Sequence, residues 1–150
     1  GNLYLGGIAM AGYWGMITIG RIVFAYLSQR NHYGRLLRIL SIISLVFLFF
    51  LLMTDNIPLV ILSFMGIGFG FSGIWPLVVA VVAKNIEEMQ ATAIGVVVAL
   101  GGTGALFFPW LFGIFSDYMG LRFIFIMVVV LVVAMFFVFQ SHFFKESMKT

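Results

Sequence analysis

Cysteine is absent from the 150 residues. That excludes disulfides, cysteine nucleophiles and thiolate metal sites; it says little about compartment, because a helical membrane bundle needs no such cross-links. Charge is scarce too: 9% of the residues are charged, where a soluble domain carries about 25%. So few charges cannot cover a water-facing surface. The net charge of +3 is too small and too dispersed for a nucleic-acid partner. Histidine occurs only as His32 and His142, both outside the long apolar runs. No carboxylate falls within those runs, so they hold no acid pair for proton transfer and no His/Asp/Glu cluster for a metal. No cofactor, metal site or enzymatic activity is therefore expected.

What the chain has in abundance is apolar length. It is 63% hydrophobic, with a mean hydropathy of +1.20. A helix crossing a bilayer needs about 20 mostly apolar residues. Five stretches qualify, at about 3–27, 36–53, 58–83, 89–115 and 123–139. The expected fold is an all-α polytopic membrane protein, one helical domain with the lipid bilayer as its surroundings. The breaks between stretches are short and polar. Asn56 and Pro58 make a cap-then-proline start for the third span. Lys84 ends that span and Glu87-Glu88 opens the next, each matching the helix dipole.

Lysine and arginine then set the orientation. Arg30, Arg35, Arg38, Lys84, Lys145 and Lys149 share one side, and Arg122 stands alone on the other. The positive-inside rule places the first and third turns and the C-terminus in the cytoplasm. The chain carries no signal-peptide pattern at its start. Five is an odd number of spans, and helices upstream are expected to complete the bundle.

Glycine sorts the spans. The second and fifth contain none of the 17 glycines, while the first, third and fourth hold most of them. Lipid supplies no hydrophobic drive between helices, so association relies on small residues that let backbones approach. The first, third and fourth spans are thus expected to be packed, and the second and fifth to be peripheral. At 100° per residue, Ser63, Gly66, Gly70, Gly73 and Ala80 align on the third span. Gly95, Ala99, Gly102, Leu106, Pro109 and Gly113 align on the fourth. On the first, Gly7, Ala11, Trp14, Thr18, Arg21 and Ala25 follow a similar stripe.

Candidate functional residues lie within the same spans. Arg21 sits inside the first, about 13 Å along the helix before Arg30. An ionisable residue at such depth is a functional candidate, set against snorkelling to the interface. Tyr13 and Trp14 lie mid-span. Gly68, Ser72 and Trp75 lie opposite the small-residue stripe of the third span, and Thr103 lies within the glycine run of the fourth. An aromatic ring, a hydroxyl and a gap suit a sugar or another small polar ring. The competing reading of each residue is ordinary helix packing. Gly70-Phe71-Ser72-Gly73 resembles an intramembrane-protease serine motif, but no histidine is placed to act as its base.

Longer runs carry a family resemblance. Gly20-Arg21 followed by "AYLSQRNHYGRLL" resembles the loop after the eighth helix of major facilitator superfamily transporters. "GIGFGFSGIWPLVVAVV" is similar to their tenth helix, and "IGVVVALGGTGALFFPWLFGIFSDYMGLRFIF" to the eleventh and the start of the twelfth. The S-G-I-W-P run most resembles the fucose permease branch of sugar–proton symporters. The loop departs from the family pattern at Ala25 and Gln29, where glycine and aspartate are usual, and it is longer between Arg30 and Gly34. The resemblance implies helices eight to twelve of an alternating-access transporter whose N-terminal half holds the proton-carrying carboxylates. It assigns Arg21, Arg30 and Arg35 to conformational coupling, with a small solute and protons as partners. The other functional reading of the same glycine stripes is a non-transporting membrane subunit or assembly factor.

Overall fold

The computed structural model describes residues 3–29, 32–86 and 88–147, with side chains through residue 141. Every regular element in them is helical: α1 (Leu3–Leu27), α2 (Tyr33–Met53), α3 (Ile57–Ser72), α4 (Ile74–Asn85), α5 (Gln90–Met119) and α6 (Leu121–Ser147). Five stretches among them are long and apolar enough to cross a membrane, because α3 and α4 together make one, Ile57–Asn85.

Local chemistry sets the ends. Pro58 lies in the first turn of α3, where its missing N–H removes no helical bond. The break between α3 and α4 falls at Gly73, three residues before Pro76. Proline there cannot donate to the Ser72 carbonyl, and its ring crowds that oxygen. Leu77 resumes the ladder by donating to the Gly73 carbonyl at 3.0 Å. Gly120 alone joins α5 to α6, at φ 79° and ψ 165°, a conformation essentially restricted to glycine.

α3 lies between α1 and α2. A Cβ built on Gly68 would strike the Tyr13 main chain, one on Gly20 would strike Ser72, and one on Gly73 would touch Phe24, so α1 and α3 run in the same direction. On the other flank Gly66 meets Phe47, Gly70 meets Ser44 and Gly73 meets Leu40, so α2 runs opposite to α3. α2 also packs along α6, while α5 adjoins α4 and α6. One apolar cluster gathers Phe24, Leu36, Leu37, Leu40 and Leu77; the other gathers Leu48, Leu51, Ile67 and Val132.

The glycine-free second span is therefore not peripheral, contrary to expectation. α2 buries more residues than α1, α3, α4 or α5, and α5, rich in glycine, buries none. The physical reason is serine. Ser41 and Ser44 are fully buried, and their hydroxyls donate to the Leu37 and Leu40 carbonyls at 2.8 and 2.9 Å. A serine satisfied by its own helix is small and presents no stranded polar group, so it admits a neighbour much as glycine does. The glycine-free fifth span is packed as well, with Ile124 and Val132 buried.

Outside the bundle's middle, Arg122 donates from Nη2 to Asp55 Oδ1 at 2.6 Å, tying the start of α6 to the α2–α3 turn. The side chains are 70% and 88% exposed, so the pair contributes no more than about 1 kcal/mol.

A methyl group at Gly70 would lie 2.9 Å from the Ser44 main-chain nitrogen, too close without a backbone shift. Gly70→Ala is expected to destabilise the bundle by about 1–3 kcal/mol. Gly95→Ala meets nothing within 4 Å and is expected to stay within about 0.5 kcal/mol of the parent. Thermal melting of the two variants in detergent, side by side, checks the contrast.

Candidate functional site

α1 presents two unlike faces. Ala9, Ile17, Gly20 and Phe24 are buried on the side facing α3. Gly7, Ala11, Trp14, Thr18, Arg21 and Ala25 are all exposed. The stripe read from the sequence is thus the open side of the helix, and Gly12 and Gly20 make the close approach in its place: a Cβ on Gly12 would lie 2.8 Å from Met65 Cγ. The signal for this second phase was present in the Gly12–Gly20 spacing, but its weight could not be judged without a partner helix.

On the open face Trp14 is 59% exposed. Its ring meets that of Tyr13 edge-on, with centroids 5.6 Å apart and an interplanar angle of 83°. Tyr13 turns inward and is half-buried beside α3. Thr18 Oγ1 donates to the Trp14 carbonyl at 3.1 Å. Arg21 extends from the same face.

The grouping of Gly68, Ser72 and Trp75 comes apart. Gly68 is closed against the Tyr13 main chain. Ser72 is 2% exposed beside Gly20, and its hydroxyl donates to the Phe69 carbonyl at 2.6 Å. Neither offers free surface, because α1 is seated on the side of α3 that was read as open. The committed hydroxyl of Ser72 also gives no nucleophile. Trp75, beyond the break, is 43% exposed, and the outer edge of its six-membered ring rests on Gly101 of α5. Thr103 is exposed and donates to the Ala99 carbonyl at 2.9 Å. It stands two residues past Gly101, about 200° around the helix, and so does not share the Trp75 contact.

The remaining candidates are placed as follows. Gly66, Gly70 and Gly73 lie against α2, with Gly73 also touching α1. Gly95, Gly102 and Gly113 have no neighbour within 4 Å of an added Cβ, and Pro109 is exposed within a continuous α5. Arg35 is exposed in the first turn of α2. Arg30 lies outside the described residues. Sequence reasoning missed the Asp55–Arg122 pair, although Arg122 was already the only cation on its side. Among the described residues no group of three His, Cys, Asp or Glu could hold a metal.

The arrangement is suited to binding: two aromatic surfaces, hydroxyls satisfied within their own helices, and a guanidinium on an open helix face. A family model described as the Major Facilitator Superfamily matches residues 3–149. Comparison with curated proteins and with solved structures found no match.

The Trp75–Gly101 contact can be read optically. In a background with Trp14 and Trp110 changed to phenylalanine, Gly101→Ala is expected to displace the ring and shift the emission maximum of Trp75. Gly102→Ala, which meets open space, is expected to leave it unchanged.

Proposed function

The chain belongs to the Major Facilitator Superfamily, and on that premise we propose a specific working role for its helices. It is an integral membrane protein and a transporter of that superfamily. We assign it to the movement of a sugar or similar small polar solute by alternating access, coupled to protons. The observation that carries this reading is the open, aromatic-bearing face of α1, where Trp14 stands braced by Tyr13 within a membrane-spanning helix. An aromatic plane of that kind stacks on the apolar face of a sugar while the sugar's hydroxyls bond at its edge. Trp75 at the α3–α4 break and Thr103 on α5 extend the proposed solute surface. Gly68 and Ser72 are better read as contact residues between α1 and α3.

The loop resemblance supports placing α1 to α6 as helices eight to twelve, α3 and α4 being the two halves of the tenth. The carboxylates for proton coupling would then lie in the N-terminal half of the transporter. Arg35, together with Arg30 in the same loop, is assigned to coupling at the cytoplasmic turn. Charge supports the orientation: Arg35, Arg38 and Lys84 share one side, and on the other Arg122 is neutralised by Asp55. On that proposed orientation the C-terminus would lie in the cytoplasm. Family membership favours this reading over a non-transporting subunit, since the same glycine stripes serve either.

The test is uptake of a labelled hexose by the reconstituted transporter under an inward proton gradient. Trp14→Ala is expected to lower kcat/KM by about tenfold, the loss of one stacking contact. Unchanged uptake in that variant would remove the open face of α1 from the solute path.

A further inference from the structure

Arg21 is the one feature of the open face that stacking on a sugar does not explain. It lies in α1 six residues before the final Leu27, about 9 Å along the axis. In an α-helix the Cα–Cβ bond tilts toward the N-terminus, and a long side chain covers the turn before its own Cα. The arginine side chain therefore leaves the backbone toward the middle of α1, and snorkelling to the nearer helix end requires it to fold back over its own turn. A cation at such depth faces a polar cavity or a partner, and an anion is the partner that offsets its charge. The acidic residues with described side chains, Asp55, Glu88 and Asp117, all stand at or beyond helix ends, and Asp55 is engaged by Arg122.

We propose that Trp14, Thr18 and Arg21 form a subsite for a solute carboxylate, so that the transported solute is a hydroxylated organic acid about one six-membered ring in size. The three residues fall at i, i+4 and i+7, on one face and all exposed. Trp14 and Arg21 are separated by about 10 Å of helix, and the backward reach of arginine covers about half of it. The remaining gap, about one helical turn, accommodates a single ring lying on the indole with its carboxylate at the guanidinium. Thr18 stands between them. Its proton is given to the Trp14 carbonyl, which leaves its oxygen as an acceptor for a solute hydroxyl. The guanidinium offers the two parallel N–H donors that a carboxylate takes in bidentate fashion.

This inference deepens the solute reading given above and rests on it. The test uses D-glucuronate and D-glucose, which differ by a carboxylate in place of a hydroxymethyl group, together with quinate, a carbocyclic hydroxy acid that is not a sugar. Binding of each is measured by calorimetry on the purified transporter. Glucuronate is expected to bind about tenfold or more tighter than glucose, the scale of one charge-assisted contact. Arg21→Gln is expected to bring glucuronate to the level of glucose, and Arg21→Lys to retain part of the preference. Equal affinity for glucuronate and glucose in the parent overturns the carboxylate subsite while keeping the sugar reading. Binding of quinate and of neither sugar keeps the subsite and removes the sugar reading, whereas binding of none of the three overturns both. Equal weakening of both sugars by Arg21→Gln overturns the subsite and assigns Arg21 to pairing between helices. If that variant fails to fold, the parent and Arg21→Lys compared on the three compounds still decide.

Discussion

The structure depends on how closely α3 can approach the helices on its two flanks. Inside a bilayer each helix keeps its own hydrogen bonds, and burying an apolar side chain gains little over leaving it in lipid. What remains is contact distance. Gly68 and Ser72 close on Tyr13 and Gly20 of α1, while Gly66 and Gly70 close on Phe47 and Ser44 of α2. The same residues that lower helix propensity in water are those that give α3 two usable flanks. Buried hydroxyls add no cost of stranded polarity, since Ser41, Ser44, Ser63 and Ser72 all bond carbonyls of their own helices.

Much of the architecture was legible from composition and run length alone. A chain with so few charges and such long apolar stretches has one class of fold open to it, and polar breaks at Thr54–Asn56 and near Lys84 and Gly120 mark the turns. Helical phase was less informative. Several small-residue stripes coexist on α1, and a periodicity does not say which of them meets a neighbour. The stripe through Gly7, Ala11 and Arg21 was read as a contact, whereas Gly12 and Gly20 make it. Glycine content misled for α2, because serine supplies the same closeness. The Gly68–Ser72–Trp75 face failed as a unit because α1 covers Gly68 and Ser72, while Trp75 beyond the break turns to Gly101 of α5.

The division of labour among helices follows from these contacts. α2 and α3 form the packed centre, and α6 lies along α2. α1 belongs to that centre by one side only, leaving the aromatic and cationic residues of its other side available. α5 joins the bundle through α4 and α6 and buries no side chain of its own. It meets α6 through the Phe115 and Phe123 rings, 6.2 Å apart, and α4 through the seat of Trp75 on Gly101, directly after the break between α3 and α4.

The single-residue link at Gly120 holds one end of α5. With 30 residues, that helix is about 45 Å long. One residue leaves no slack at its C-terminal end, and the neighbouring Arg122 ties the same corner to the α2–α3 turn through Asp55. At the opposite end Gln90 Nε2 donates to the Ala83 carbonyl at 3.0 Å, which joins α5 to the end of α4. α5 is thus a long strut held at both ends, to α6 through Gly120 and to α4 through Gln90, so any change in the spacing of α4 and α6 must pass along it.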